Sequence, residues 1–487
     1  MNEFHGFFEI IARLTRNLSE GRIIVTIMKR NITILFTLLL MVGLPPIGFG
    51  YFNRLQARTL QQNAPAQASI HFETAARLLF WERGLREQAG LTAFQAGEMK
   101  RASSLLLEAQ KRETLSHEGL LTLGEIYCQN GDCDSAYAQV WLPLYQTGFA
   151  SPTLLARLAQ YAASQQDAPL EILYLTRLLE AEPQNAPARY RLALLLADDD
   201  PQTAIDILAT STDSKSELLR AALHDALAQN DPAYRNILVG RALASLGEWQ
   251  FALEAFRAAA TENPAYAEAW AWQAEALYQT GAESREIEET YEKALALNPN
   301  SAGIQAMAGL YRERIRDDSL AEAHYLRAAQ LEPQNPAWQL ALGRLLARRD
   351  LPAALEHYQA ATQLAPHDAS AWLALAAFSV EHDAFLEEAG LEAALRAYAL
   401  EPENPQILDL LGRALTLTGE PEIAQTMYER AIALAPKDPA PHFHLALLYL
   451  QTGQRAPARQ ALEDILRLDP GGLYGQQAHE ILARYFP

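Results

Sequence analysis

A repeat period of 34 residues near the C-terminus constrains this fold more than any other feature. Two units follow one another from Pro405 and Pro439, and eight positions of the first recur 34 residues later in the second. Prolines that end a helical pattern continue this spacing upstream, at positions 264, 299, 333, 366, 402, 436 and 470. Such a fixed period is the signature of a solenoid made of repeated helical units. We therefore predict a stack of such units across 233–470.

Each unit predicts a pair of helices joined by a tight turn. Small and apolar residues mark one face of each helix in the first unit: Leu411, Gly412 and Leu415, then Ala424, Tyr428 and Ala431. Gly419 between them suits a tight turn, and Pro436 ends the second helix. Because one hairpin cannot bury both of its apolar faces, its neighbour has to cover one of them.

The order of these residues resembles the tetratricopeptide repeat family. A small residue at the eighth position, Ala at the twentieth and twenty-seventh, an aromatic residue at the twenty-fourth and Pro at the thirty-second all match. The resemblance implies an all-α fold, a right-handed α-solenoid of helical hairpins with a concave groove for protein or peptide partners. The abundance of Ala and Leu and the scarcity of β-branched runs independently favour helices.

The charge of the chain is unevenly distributed. The formal net charge is −19, and the first 54 residues carry six basic and three acidic residues, which leaves −22 (−19 − 3) for the remainder. A net negative charge of this size over the rest of the chain disfavours nucleic acid as a partner.

An apolar stretch near the N-terminus predicts one membrane-spanning helix ahead of the solenoid. Residues 32–52 carry no charge and are long enough to cross a bilayer. The alternative is a cleaved signal peptide, but no small-x-small site closes the run. Residues 1–31 form a cytoplasmic segment, or an over-extended start before Met28. The excess of basic residues before the run predicts a single-pass protein with a cytoplasmic N-terminus and extracytoplasmic repeats.

The remaining chain divides by the quality of its repeat pattern. Residues 53–70 resemble a linker, 71–232 contain divergent helical repeats, 233–470 contain regular ones, and 471–487 form a capping helix. The pattern is weakest over 186–232, which indicates either a change of pitch or a break between two stacks.

The two cysteines flank a predicted turn. Cys128 and Cys133 enclose Gln-Asn-Gly-Asp. They are either unrelated thiols or a disulfide that would need an oxidising compartment, and a metal site is least favoured because two ligands do not complete a shell.

The sequence contains no catalytic or cofactor motif, such as a nucleophile elbow, a zinc-protease helix or a phosphate-binding loop. We expect no enzyme activity, cofactor, metal or small-molecule substrate. The recurring tryptophans Trp270, Trp338 and Trp372 fit packing positions better than a sugar-stacking surface.

The resemblance places the binding groove on the first helix of each pair. In the family, the residue after the small packing position points toward the groove; here it is Arg241, Glu275, Arg344 and Arg413 in four units. The full set of predicted groove residues is Tyr234, Arg241, Gln305, Arg312, Arg344, Asp409, Arg413 and Phe443. The arginines form either a positive track for an acidic peptide or ordinary ion pairs with neighbouring glutamates.

The function expected from these features is that of a membrane-anchored scaffold for protein–protein interactions, in the assembly or organisation of envelope complexes. Two alternatives remain: a subunit of an enzyme that handles envelope polysaccharide, and a secreted repeat protein whose signal peptide is cleaved.

Overall fold

The computed structural model describes residues 46–486, and every regular element in that range is helical. The described residues divide into two compact units, 46–195 and 196–486. The boundary between them falls within 186–232, where the repeat pattern is weakest, and not at Pro232. Both interpretations of that stretch, a change of pitch and a break between two stacks, stay predictions.

The first unit is built from consecutive helices that pack on their neighbours. They are α1 (46–60), α2 (Pro65–Leu78), α3 (Leu85–Gln95), α4 (Met99–Arg112), α5 (His117–Gln129), α6 (Cys133–Ala136, Tyr137–Trp141 and Leu142–Gln146), α7 (Pro152–Ser164), α8 (Ala168–Ala181) and α9 (Ala186–Leu196), which ends at the boundary.

The second unit contains the regular hairpins and a single last helix. They are α10 (Pro201–Leu208), α11 (Ser214–Leu227), α12 (Pro232–Ser245), α13 (Trp249–Glu262), α14 (Ala267–Gln279), α15 (Ser284–Leu297), α16 (Ala302–Arg314), α17 (Asp318–Leu331), α18 (Pro336–Leu346), α19 (Leu351–Leu364), α20 (Ala369–His382), α21 (Leu386–Gly390 and Leu391–Leu400), α22 (Pro405–Leu417), α23 (Pro421–Leu434), α24 (Pro439–Gln451), α25 (Arg455–Leu468) and α26 (Leu473–Tyr485). Within this unit the predicted all-α stack of tetratricopeptide-like hairpins is confirmed.

A close contact between a glycine and a large side chain joins the two helices of six hairpins in the described chain. A Cβ atom on the glycine would come within 3.0 Å of a side chain on the following helix. The pairs are Gly90 with Leu106, Gly124 with Trp141, Gly240 with Phe256, Gly309 with Tyr325, Gly343 with Tyr358 and Gly412 with Tyr428. Because the side chain lies directly on the backbone of the first helix, the two helices approach closely.

Two π-helical turns interrupt the second helix of a pair. One spans Tyr137–Trp141 in α6, and the other spans Leu386–Gly390 in α21. A π turn accommodates one extra residue in a helix. The Gly124–Trp141 pair is accordingly separated by one residue more than the Gly412–Tyr428 pair, and the ring still reaches its glycine. The second π turn follows the point where the sequence of that unit runs long.

Local signals set the helix boundaries as the sequence predicts. Gly419 has a positive φ of 85° between α22 and α23. Asp and Asn side chains cap many helices by accepting a backbone N–H of the first turn, including Asp200, Asp317, Asp350, Asn404 and Asp438. The run of aspartates that precedes Pro201 thus marks the start of α10.

The predicted linker 53–70 needs correction, because it is helical over 53–60 and 65–70. Its buried residues include Ala57 and Ala68, which are small and therefore leave little hydrophobic periodicity. Pro65 lies in the first turn of α2, where proline is tolerated, and so it starts a helix. A 2.7 Å hydrogen bond between the Asn53 side chain and the His71 ring joins α1 to α2.

Most of the predicted N-terminal anchor lies outside the described residues, as does the segment 1–31. Its last part, 46–52, belongs to α1, and Gly50 packs against Leu79. Between residues 46 and 486, no helix is both long enough and apolar enough to cross a bilayer.

The last helix covers the end of the second unit. Ala478 of α26 packs with Phe443, Leu462 and Ile465 of the last hairpin, as a capping helix should. In the first unit, the sulfur atoms of Cys128 and Cys133 are bonded across the turn between α5 and α6, with Cα atoms 4.0 Å apart. The oxidising compartment that such a bond would need stays a prediction.

Replacing Gly412 with Ala tests the hairpin contact. The new Cβ would lie 2.6 Å from Cε1 of Tyr428, a side chain only 2% exposed, so overpacking should cost about 1–3 kcal/mol and exceed the gain in helix propensity. Urea denaturation followed by circular dichroism measures the shift. The control is Gly303→Ala in α16, where the nearest atom is 3.9 Å away and stability should rise by up to about 1 kcal/mol. Equal stabilisation by both changes would contradict the contact.

Candidate functional site

A cavity of about 510 Å³ lies over the first helices of four consecutive hairpins in the second unit. Helices α12, α14, α16 and α18 contribute to it, and Tyr325 of α17 also reaches its wall. The apolar residues that line it are Ala271, Trp272, Ile304, Met307, Leu310, Trp338 and Ala341. Arg241 and Arg344 come from the first and last of these helices, with Glu268 and Ser301 as the other polar side chains. We call this cavity the groove.

The groove follows one face of each first helix. On α16 the lining residues Gly303, Met307 and Leu310 are spaced at i, i+4 and i+7. Met307 lies two residues before the glycine that contacts the next helix, and Trp272 and Ala341 hold the equivalent position in α14 and α18. Sequence reasoning missed this apolar floor, although the position two residues before the small residue would have indicated it.

The two groove arginines have different surroundings. Arg241 lies over the Trp272 ring, with its guanidinium carbon 5.6 Å from the ring centroid, and makes no ion pair with any residue of the described chain. Arg344 donates to Glu313 at 3.1 Å. The interpretation of ordinary ion pairs therefore applies to Arg344, whereas Arg241 keeps its charge available to a ligand.

Glu313 holds two arginines of the next repeat. Its side chain is only 11% exposed and pairs with Arg344 and Arg348, while the Tyr325 hydroxyl donates to it at 2.9 Å. Burial alone would raise the pKa of Glu313, but the hydrogen bond and charge of Arg344, with help from Tyr325 and Arg348, outweigh it and lower the pKa. The carboxylate thus positions Arg344 at one end of the groove.

A second buried carboxylate joins the preceding pair of repeats in the same way. Glu275 accepts two hydrogen bonds from Arg314 of α16, at 2.7 and 2.8 Å. The Tyr291 hydroxyl lies 3.4 Å from the same carboxylate, and burial raises the pKa of that tyrosine. Glu275 follows the small packing position of its unit, but it serves the contact between repeats and does not line the groove.

Gln305 is not on the groove surface, contrary to the sequence prediction. It is 8% exposed, donates to the carbonyl of Pro299 at 3.0 Å and contacts His324. Gln305 belongs to a set of residues that recurs along the stack. The side chain of each member bonds the backbone carbonyl of a turn residue six positions earlier in the sequence. The set includes Arg189, Arg235, Trp270, Gln305, Trp372 and His442. Trp270 and Trp372 thus bond turns within the stack, as expected of packing positions, whereas Trp338 lines the groove and donates to Glu332 at 3.1 Å.

Two other predicted residues lie outside the groove lining. Tyr234 is half-buried at the start of α12. Arg312 donates to Glu288 at 3.1 Å, and its side chain is 19% exposed. As sites of binding, both remain untested predictions.

The other three predicted residues, Asp409, Arg413 and Phe443, lie on α22 and α24 near the end of the chain. His444 of α24 lies 2.8 Å from Oδ1 of Asp409 on α22. Phe443 is 8% exposed and packs against Tyr474 of α26, with ring centroids 5.3 Å apart. Arg413 lies half-buried on α22. Their partners within the fold indicate that Asp409 and Phe443 join the last helices together.

The described part of the chain offers little for metal chemistry. Among residues 46–486, no group of three or more His, Cys, Asp or Glu side chains could hold a metal ion. The groove itself combines one carboxylate, two guanidinium groups and an apolar floor. Such a surface can bind a ligand by burial and charge complementarity.

Replacing Glu313 with Gln tests its role in positioning the arginines. The change leaves Arg344 and Arg348 without their carboxylate and should cost about 1–3 kcal/mol at neutral pH, measured by urea denaturation. Because the pKa of folded Glu313 lies below its ordinary value of 4.5, this stabilisation is complete above about pH 4.5 and is lost as the pH falls through the lowered value.

The matched control is Glu289→Gln on α15, whose partner Arg285 is fully exposed to solvent. This change should stay within about 0.5 kcal/mol of the unmodified protein. A loss at Glu313 that persists undiminished at pH 3 would argue against a charge effect.

Comparison with models of known protein families finds a match for two segments of the chain. Residues 238–302 and residues 419–485 each match a family model described as tetratricopeptide repeat. No curated protein matches the chain.

Several solved structures are similar in fold. Yeast Tom70 is 15% identical, with a TM-score of 0.41 over 90% of this chain and 95% of that one. The APC/C hetero-tetramer Cut9–Hcn1 is also 15% identical, with a TM-score of 0.40 over 90% and 96%. MamA is 23% identical, with a TM-score of 0.31 over 38% of this chain and 96% of that one.

Residues 238–302 cover most of α12 and all of α13 to α15, including the Gly240–Phe256 contact, and residues 419–485 cover α23 to α26. On the family-model matches, residues 238–302 and 419–485 of this chain are tetratricopeptide repeats.

Proposed function

We propose that this protein is a membrane-anchored scaffold whose groove holds a segment of a partner protein. The observation that carries the proposal is the groove itself. A cavity of about 510 Å³ runs over four consecutive hairpins, with an apolar floor and an arginine at either end. Packed helices form its walls, so little ordering of the protein should be needed for binding.

The lining defines the chemistry of the bound segment. Trp272, Met307 and Leu310 offer an apolar floor that suits an aliphatic or aromatic side chain. Arg241 has no carboxylate partner within the described chain and is available for one from a ligand. The favoured ligand is therefore a peptide segment with an apolar residue flanked by Asp or Glu. Binding, and not catalysis, is the proposed activity.

The tether is the second part of the proposal. Residues 32–52 carry no charge, and basic residues precede them. In our proposal the part of this run that precedes α1 crosses a membrane, and its last part, 46–52, lies at the membrane boundary as the start of α1, with the N-terminus in the cytoplasm and the repeats on the other side. The scaffold would then serve the assembly or organisation of envelope complexes.

Charge reversal at Arg241 tests the groove. A phage-displayed peptide library selected on the full chain should yield peptides with an apolar residue next to Asp or Glu. In Arg241→Glu, such a peptide should bind about tenfold more weakly, equivalent to about 1.4 kcal/mol, because attraction becomes repulsion. Fluorescence anisotropy of the labelled peptide measures Kd.

The control for that experiment is Arg285→Glu, an equally large charge change on a second helix, where the arginine is 87% exposed and outside the groove lining. Affinity should be unchanged in this variant. Equal loss in both variants, or selected peptides without acidic residues, would contradict the proposed ligand.

Membrane fractionation tests the tether. The full chain should sediment with membranes and resist extraction at alkaline pH, because a bilayer-spanning helix is not held by surface charge. N-terminal sequencing of the mature protein should show that residues 32–52 are retained. Recovery of an uncleaved chain in the soluble cytoplasmic fraction would refute the tether, and cleavage after the run would favour the secreted alternative.

A further inference from the structure

Four exposed aromatic side chains form two ring pairs at one end of the first unit, where Tyr51 is also 46% exposed. Phe49 and Phe52 lie on α1 and are 56% and 53% exposed. Phe80 and Trp81, in the turn after α2, are 73% and 49% exposed. The rings form two pairs, with centroids 6.4 Å apart in the first and 5.0 Å apart in the second. We call these four residues the aromatic patch.

The two pairs are brought to the same end by the packing of α1 on α2. Gly50 lies so close to Leu79 that a Cβ atom would come within 2.7 Å of its Cγ. Arg54 and Glu82 form an ion pair at 2.8 Å. These contacts hold the start of α1 beside the end of α2, so the patch is a fixed feature of the hairpin.

Helix α1 exposes its aromatic rings to solvent, whereas a surface helix usually buries them. Its buried face consists of Gly50, Asn53 and Ala57, and Asn53 is 3% exposed. Phe49, Phe52 and Leu55 are on the exposed face, and Leu55 is 62% exposed. A surface helix of a soluble domain normally buries its large apolar residues. Exposed apolar surface grouped in this way marks a site of contact.

The chain that precedes α1 indicates what covers the patch. Residues 32–45 lead directly into α1 and carry no charge. The patch therefore lies at the point where the apolar run enters the folded unit. Aromatic side chains concentrate at the boundary between hydrocarbon and headgroups, where their rings are partly buried.

Charged residues around the patch fit the same partner. Arg83 follows Trp81 in the same turn and is exposed, and Arg58 is exposed one turn beyond Leu55. Guanidinium groups beside an apolar surface can bind lipid phosphates.

We propose that the aromatic patch is a lipid-contacting surface that seats the first unit on the membrane at the base of its tether. The partner is a phospholipid bilayer, with the rings of Phe49, Phe52, Phe80 and Trp81 at headgroup depth. The groove lies in the other unit and takes a different ligand. This inference rests on the proposed tether, which brings the patch to the membrane.

Quenching of tryptophan fluorescence by brominated lipid tests the proposal. The full chain is reconstituted into vesicles of phosphatidylcholine and phosphatidylglycerol, with bromine near the headgroup end of the acyl chain. Flotation of the vesicles first shows whether the chain is anchored. The lipid should then quench part of the fluorescence, and Trp81→Phe should lose most of that quenching. Trp372→Phe, which lies outside both the groove lining and the patch, should retain it.

The outcomes separate the patch from the tether. Floating vesicles without quenching at Trp81 would overturn the patch and leave the tether in place. Quenching of Trp81 by aqueous iodide in those vesicles would show that water covers the patch, and shielding from both quenchers would show that protein covers it; either result overturns the inference. A chain that does not float with the vesicles refutes the tether and the patch together.

Discussion

The contact between a glycine backbone and a ring on the next helix is the constraint on which the regular repeats depend. Gly240, Gly309, Gly343 and Gly412 each have an aromatic ring where a Cβ would otherwise lie. The contact brings the two helices of each hairpin close together. Hairpins of the same geometry then stack with their first helices side by side, and a continuous groove across α12, α14, α16 and α18 results.

Ion pairs connect one hairpin to the next. Glu275 binds Arg314 of the following repeat, and Glu313 binds Arg344 and Arg348. Because desolvation offsets much of the attraction in such half-buried pairs, their main contribution is to define how one repeat meets the next. They also determine which arginines are committed within the fold, and they leave Arg241 available at the groove.

Periodicity predicted the helices better than the family resemblance predicted individual site residues. Arg241 and Arg344 line the cavity, whereas Glu275, at the same position of its unit, pairs with Arg314 of the next repeat. Gln305 bonds a turn carbonyl instead, since a long polar side chain in the first turn of a helix can fold back on the preceding loop. The linker prediction failed where burial involves small residues, which give no periodic signal.

The sequence by itself determined the helical hairpins, their boundaries and their spacing, because capping residues, glycines and the period of apolar positions act over a few residues of chain. Only the tertiary structure decided which polar side chains are satisfied within the fold and which face a ligand. Glu275 and Glu313 find their arginines on a neighbouring repeat, more than 30 residues away for Arg314 and Arg344. The exposure of Phe49 and Trp81 likewise follows from how α1 packs on α2. Local patterns cannot specify such pairings, because each depends on the distance between side chains that only packing brings together.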